Sequence, residues 1–235
     1  MNPQAVAVDL RAKIIVALDV PTKEAALALV RQLSPHPGLF KIGLQLYIAA
    51  GPKIVSAVQK EGGRIFLDLK LHDIPNTVGR AVESASLLGI HMLTLHLSGG
   101  RRMIEAAVRA AGPDLLLLGV TVLTSSDQES LRETGVQAAL EEQVVRLARL
   151  GVEAGISGLV ASAQELAALR TAVGPQVTVV TPGIRPRNAS PDDQKRAVSP
   201  ADALRAGANY LVIGRPIIAS ADPRRALEEI IADAV

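Results

Sequence analysis

Ten residues, Asp68 to Thr77, hold the side chains best suited to chemistry, because they read DLKLHDIPNT and place one lysine between two aspartates. Residues 64–67, RIFL, lead into them as a β-rich run. The two-residue period of a strand then puts Asp68 and Lys70 on the same face, with Asp73 just past the strand end. An ammonium between two carboxylates stays protonated, since opposite charges stabilise its charged form. Lys70 is therefore predicted to donate a proton and not to act as an amine nucleophile.

The elements that must position this stretch alternate along the whole chain. Short apolar runs alternate with longer helical patterns, which is typical of βα units. Strands are predicted at residues 14–19, 39–42, 64–70, 92–96, 115–122, 158–160, 177–180 and 210–213. Eight units in 235 residues average about 29 residues each, the size of a βα unit. The predicted fold is an α/β (β/α)8 TIM barrel in a single domain, residues 1–235. A doubly wound open sheet is the alternative, but Asp19-Val20-Pro21 stands where its glycine-rich fingerprint would be.

Several helix boundaries are marked by local sequence signals. The helix after the second strand is predicted to break near Gly51-Pro52, and the helix after the third to begin at Pro75. Capping patterns predict N-caps at Thr22, Ser126, Ser162 and Ser199.

Composition and charge narrow the class of protein. Hydrophobic residues make up 49% of the chain and aromatic residues only 2%, so the core must consist of small aliphatic side chains, which suit parallel strands covered by helices. With 25 basic and 23 acidic residues and no basic tract, nucleic acid is not an expected partner. Zero cysteines exclude disulfides and thiolate metal sites.

The chain carries no signal for a membrane. Its longest apolar run, residues 115–123, is too short to span a bilayer. Asp9 and Arg11 interrupt the apolar residues near the N-terminus, so no signal peptide is expected. A cytoplasmic location is predicted.

In such a barrel the active site lies at the C-terminal ends of the strands. Strand one ends in Asp19, strand two carries Lys41, and strand three delivers Asp68 and Lys70, with Asp73 beyond. A surface ion pair would be an adequate explanation for Asp19 or Lys41 alone. The alternation of charges at one edge favours a catalytic set.

The last two strands end in residues typical of a phosphate site. Strand eight ends in Gly214 and Arg215, and Arg185 lies in the loop after strand seven, the usual position for phosphate in these barrels. Arginine offers a planar fork to phosphate oxygens, and glycine lets a backbone N–H approach. A simple turn is the alternative for Gly214-Arg215. The polar segment 181–198 is either a connector or a lid, with Gln194 as its contact to the ligand, and its position favours the lid.

Other polar residues admit two interpretations. Thr124 and Ser125 follow strand five and either bind a ligand or form a capping turn. His72 and His96 lack the spacing of a catalytic triad or a metal site, so a structural hydrogen-bonding role is favoured over catalysis.

With these residues identified, the chain resembles the orotidine 5'-phosphate decarboxylase family, of the bacterial type, over nearly its whole length. Residues 68–77 resemble the signature of that family. Shorter blocks resemble its other motifs in the same order, at residues 18–19, 40–43, 123–125, 182–185 and 213–216.

The resemblance implies decarboxylation of orotidine 5'-monophosphate (OMP) to UMP and CO2 in de novo pyrimidine biosynthesis, with no metal or organic cofactor. It implies a homodimer with shared active sites, in which Asp73 and Thr77 reach the partner's site. The implied catalytic residues are Lys70, as proton donor to C6 of the pyrimidine, Asp68, Asp73 and Lys41. The substrate-binding residues implied are Asp19, Lys41, Asp68, Leu69, Lys70, Leu71, His72, Asp73, Ile74, Pro75, Asn76, Thr77, Thr124, Ser125, Arg185, Gln194, Gly214 and Arg215.

Three other functions fit part of the pattern. A magnesium-dependent sugar-phosphate decarboxylase or aldolase of the same barrel group shares the Asp-x-Lys-x-x-Asp spacing, although the continuation from His72 to Thr77 favours the nucleotide enzyme. A catalytically silent nucleotide-binding barrel is opposed by the intact charges. A Schiff-base aldolase needs a neutral lysine, which the flanking carboxylates oppose.

Overall fold

The computed structural model describes residues 10–35, 37–185 and 198–234. Eight parallel strands close into a barrel in chain order, with β1 paired to both β2 and β8. The strands are β1 (Ile14–Ala17), β2 (Leu39–Gly43), β3 (Ile65–Leu71), β4 (Met92–His96), β5 (Leu116–Val120), β6 (Gly158–Val160), β7 (Thr178–Thr181) and β8 (Tyr210–Ile213). The predicted (β/α)8 TIM barrel is confirmed, and every predicted strand lies within a few residues of its expected place.

Helices cover the outer face of the sheet between successive strands. They are α1 (Lys23–Gln32), α2 (Leu44–Ala50), α3 (Lys53–Lys60), α4 (Pro75–Ser86), α5 (Arg101–Ala110), α6 (Gln128–Glu133), α7 (Leu140–Glu153), α8 (Leu166–Val173), α9 (Pro200–Arg205), α10 (Arg215–Ile218) and α11 (Pro223–Asp233). The predicted break at Gly51-Pro52 separates α2 from α3, with Gly51 at a φ of 64°. In the part of the chain that the structure describes, no helix has the length and apolar character needed to cross a membrane.

Three of the four predicted N-caps are confirmed. Thr22, Ser162 and Ser199 each accept a backbone N–H at the start of a helical segment. The prediction of Ser126 was wrong, because α6 is capped by Asp127, whose carboxylate accepts from the backbone N–H of Ser130 at 3.0 Å. A carboxylate serves as well as a hydroxyl at this position and gains from the positive end of the helix dipole.

The core has two layers, one on each face of the sheet. The inner layer fills the barrel and supports the site from below; it consists of Ile15, Ala17, Leu39, Phe66, Met92, Leu118, Val180 and Val212. The larger outer layer packs the opposite faces of the strands against the helices. Both phenylalanines of the chain, Phe40 and Phe66, are buried. Aliphatic side chains supply nearly all of the remaining core, as the composition predicts.

Strand β3 is not regular where it reaches the C-terminal edge. Leu67 pairs with Leu93 and Leu71 pairs with Leu95, so residues 68–70 lie opposite Thr94 alone. Lys70 has a φ of 50°, in the left-handed region that costs a non-glycine residue about 1–2 kcal/mol. Bulges of this kind redirect side chains and are common beside active sites. The irregularity therefore marks Lys70 as a residue held in an unusual backbone conformation.

Candidate active site

A cavity of about 270 Å³ opens at the C-terminal ends of the strands. Its floor is the inner core layer, including Ala17, Phe66 and Val212. The predicted site residues that line it are Asp19, Lys41, Asp68, Lys70, Thr124, Arg185, Gly214 and Arg215. The cavity thus joins the charged set from the first three strands to the arginines that follow β7 and β8.

The four charged side chains on one wall alternate in sign along a continuous series of contacts. Lys70 Nζ lies 2.7 Å from Asp68 Oδ1 and 2.8 Å from Oδ2. Lys41 Nζ lies 3.0 Å from Asp19 Oδ1 and 3.7 Å from Asp68 Oδ2. Exposed fractions are 11% for the Lys41 side chain and 12% for Asp68, against 31% for Lys70 and 53% for Asp19. The inner members are therefore fixed, while the Lys70 ammonium reaches the open cavity.

Asp68 remains ionised despite its burial. Desolvation by itself would raise the pKa of its carboxyl group, but the charges of Lys41 and Lys70 and the hydrogen bonds from Lys70 and Thr94 together outweigh it. The net pKa of Asp68 lies below its ordinary value. The carboxylate is therefore an acceptor for all its neighbours and a counter-charge for both ammonium groups.

We expect Asp68 to make stability depend on pH in the acid range. Its folded-state pKa is depressed, so its contribution is present above about pH 4, the ordinary aspartate pKa, and is lost as pH falls through the lower folded-state value. The free energy of unfolding of the wild type should then fall more steeply below about pH 4 than that of Asp68→Asn. Urea denaturation across this range measures both slopes. Asp233→Asn, at an exposed position in α11, should follow the wild type, and parallel curves for the wild type and Asp68→Asn would contradict the assignment.

Gly43 allows the first ion pair to form. A Cβ atom at this position would lie 3.0 Å from Lys41 Nζ and 3.3 Å from Asp19 Oδ1. Both distances are tighter than ordinary carbon contacts, so a side chain here would displace the ammonium or its partner. Gly43 is the last residue of the Phe40–Gly43 block that resembles the family motif. The lack of space beside the Lys41–Asp19 ion pair explains why a glycine occupies this position.

The residues predicted to bind phosphate line the same cavity at the ends of β7 and β8. Arg185, Gly214 and Arg215 line the cavity there, together with Pro182 and Gly183. The backbone N–H of Arg185 donates to Val198 O at 3.1 Å, so the two ends of segment 186–197 are joined. Gln194 and the rest of the predicted lid between these ends lie outside the described residues.

The second half of the stretch from Asp68 to Thr77 does not line the cavity of its own chain. Asp73 Oδ1 accepts from the backbone N–H of Ile74 at 2.6 Å, and no ion pair joins Asp73 to Lys70 in the described part of the chain. Asn76 and Thr77, in the first turn of α4, are exposed, as are His72 and Ile74, and Pro75 is half-buried. Among the described residues of one chain, Lys70 pairs with Asp68 and not with Asp73, so the expectation that it lies between two carboxylates is not met there.

The remaining predicted residues lie around the rim. Leu69 and Leu71 pack against the outer core, and Ser125 is exposed beyond Thr124. The rings of His72 and His96 are 5.6 Å apart, centroid to centroid. Burial lowers the pKa of His96, and the neighbouring His72 and Lys70 lower it further, against the opposing effect of Asp68. A neutral imidazole at this place fits a structural role.

Sequence reasoning missed Thr94. Its side chain is fully buried on β4, where its hydroxyl contacts both Asp68 Oδ1 and the backbone of Lys70. A threonine within an apolar strand at the level of the catalytic edge was the available signal.

Comparison with known proteins identifies the family of this chain. The sequence profile of the orotidine 5'-phosphate decarboxylase / HUMPS family matches residues 12–230. An orotidine 5'-phosphate decarboxylase of Opitutus terrae is 53% identical, covering 94% of this chain and 97% of its own length. The enzyme of the same name from Moorella thermoacetica is 50% identical, covering 94% and 91% respectively.

Solved structures agree with the sequence comparison. The crystal structure of orotidine 5'-phosphate decarboxylase from Lactobacillus acidophilus has a TM-score of 0.83 and 34% identity, covering 94% of this chain and 98% of its own. The profile match spans every strand of the barrel and every residue that lines the cavity. This chain therefore belongs to the orotidine 5'-phosphate decarboxylase / HUMPS family.

Proposed function

We propose that this protein decarboxylates OMP to UMP and CO2 in pyrimidine biosynthesis. The observation that carries the proposal is the Lys70 ammonium, held by Asp68 and lining a cavity that Arg185 and Arg215 also line. A fixed ammonium on β3 and two arginines after β7 and β8 suit a substrate that loses a carboxylate at one end and carries a phosphate at the other.

In the proposed reaction the bond between C6 and the carboxylate breaks and its electron pair stays on C6. The Lys70 ammonium stabilises that developing charge and then transfers a proton to C6, after which the amine regains a proton from solvent. Asp68 orients the ammonium, because both carboxylate oxygens accept from Nζ. Lys41 is the positioning residue on the other side of Asp68, since it contacts both Asp68 and Asp19.

The rest of the cavity serves binding. Asp19 and Lys41 are proposed to contact the ribose, Thr124 and Ser125 the pyrimidine, and Arg185, Gly214 and Arg215 the phosphate, with Gln194 closing over it. Phosphate contacts made far from C6 supply binding energy that can lower the barrier at C6.

We further propose that the protein is a homodimer in which Asp73 and Thr77 enter the partner's site. Asp73 does not form an ion pair with Lys70 among the described residues of its own chain. Asp73 and Thr77 are both exposed, and so is Ile74 between them, with an exposed fraction of 65%. Ile48 and Leu44 on α2 are 79% and 51% exposed, which adds apolar surface suited to an interface. Residues 1–235 would act as one decarboxylase domain in the cytoplasm.

The direct test is the loss of OMP absorbance with purified protein, measured with and without EDTA. We expect turnover that EDTA leaves unchanged. A loss of activity in EDTA would favour the magnesium-dependent alternative. In the described residues, no group of three acidic or histidine side chains converges to hold a metal ion. Binding of UMP without any decarboxylation would favour the catalytically silent barrel.

A further inference from the structure

Thr94 is a buried polar residue that hydrogen-bonds to Asp68 and that the proposed mechanism does not use. It lies on β4 below the cavity, with an exposed fraction of 0%, and it does not itself line the cavity. Its side chain faces the bulged part of β3.

The hydroxyl makes two hydrogen bonds whose directions are fixed by the partners. The backbone N–H of Lys70 can only donate, so Thr94 Oγ1 accepts from it, at 2.9 Å. Ionised Asp68 can only accept, so the hydroxyl proton must point to Asp68 Oδ1, also at 2.9 Å. The one proton of Thr94 is therefore committed to the carboxylate.

These two bonds act on opposite ends of the same lysine. One holds the Lys70 backbone, whose φ of 50° is not a conformation that a lysine favours. The other holds Asp68, whose oxygens hold the Lys70 ammonium at 2.7 and 2.8 Å. Residues 68–70 have no regular ladder partner on β4, so the threonine hydroxyl replaces one of the missing sheet bonds.

We infer that Thr94 is a positioning residue for the decarboxylation: its hydroxyl fixes the Lys70 backbone and the Asp68 carboxylate together, and so sets where the Lys70 ammonium stands. The inference rests on the proposed function. A purely structural threonine would affect folding but would leave the ammonium and the ionisation of Asp68 in place, and this difference makes the two roles separable.

The first test replaces the hydroxyl by a methyl group of similar shape, in Thr94→Val. We expect kcat to fall about 10- to 100-fold, the range for losing a hydrogen bond to a charged group. KM should change by less than about threefold, because Thr94 does not touch the cavity. The matched control is Thr121→Val, the same change at a residue 3% exposed whose hydroxyl donates to Val160 O at 3.4 Å, outside the Asp68 network. It should keep kcat within about twofold of the wild type.

The second test uses the pH dependence of kcat/KM. The hydrogen bond from Thr94 helps to lower the pKa of Asp68, so removing it should move the acid limb of the profile to higher pH in Thr94→Val. Thr94→Ser keeps a hydroxyl and should restore both the acid limb and kcat to within about threefold of the wild type. This variant carries the test if Thr94→Val does not fold.

If the wild type decarboxylates OMP, three results would overturn the inference about Thr94. They are wild-type kcat in folded Thr94→Val, an unmoved acid limb in that variant, and a fall of more than about tenfold in folded Thr94→Ser. Failure of the wild type itself to decarboxylate OMP would instead overturn the proposed function, so the two failures are distinguishable.

Discussion

Lys70→Ala is expected to abolish decarboxylation of OMP while leaving the binding of UMP measurable. Removing a group that stabilises charge and supplies the proton should lower kcat by about 10⁴-fold or more. Arg185 and Arg215, which line the cavity and are proposed to bind the phosphate, are not altered by this substitution. Turnover by absorbance and UMP binding by titration calorimetry separate these two effects.

The matched control for this loss is Lys60→Ala, which removes an exposed lysine at the end of α3. Its turnover should equal that of the wild type. Circular dichroism should show the same secondary structure in both variants, because Lys70 is partly exposed and contributes little to the core. Decarboxylation by Lys70→Ala at more than about one hundredth of the wild-type rate would remove Lys70 from the proposed role.

The second large effect concerns which chain supplies Asp73. Lys70→Ala and Asp73→Asn should each be nearly inactive as pure proteins. If Asp73 serves the partner's site, unfolding and refolding the two variants together should restore activity. Half of the dimers are then mixed and each holds one intact site out of two, so about a quarter of wild-type activity is expected.

A second mixture controls for chance restoration. Lys70→Ala and Asp68→Asn alter two residues whose side chains are bonded within one chain, so every site of their mixed dimer lacks one of the pair. That mixture should stay inactive. Inactivity of the Lys70→Ala and Asp73→Asn mixture, with mixed dimers demonstrated by mass spectrometry, would show that Asp73 does not cross the interface.

The barrel and the charged edge could be predicted because their signals are local. Strand runs and capping residues repeat at intervals that only βα units produce, and this placed Asp19, Lys41, Asp68 and Lys70 at the same edge. The period of two put Asp68 and Lys70 together correctly, although residues 68–70 do not form a regular strand. The irregularity is a shift in the pairing of β3 with β4, so the sequence of β3 alone does not predict it.

The rest of the site was hidden for two physical reasons. Thr94 acts through a hydroxyl that fills a gap in the β3–β4 ladder, so its role depends on the register of two strands 26 residues apart at Asp68 and Thr94. Asp73 lies on a surface that is exposed in the single chain, so its environment depends on whether another chain covers that surface. The shift of the α6 cap from Ser126 to Asp127 is smaller, because adjacent polar residues compete for the same backbone N–H groups.

The left-handed backbone of Lys70 has a consequence for protein engineering. Glycine adopts a φ of 50° without the steric cost that lysine bears, so Lys70→Gly would relieve backbone strain of about 1–2 kcal/mol, set against the loss of the bonds from Lys70 Nζ to Asp68. A thermostability screen that rewards only the relief of this strain would remove the amine that is proposed to supply the proton. Mutant libraries made to raise the thermostability of this barrel should therefore leave residues 68–70 unchanged and vary positions on the outer helices.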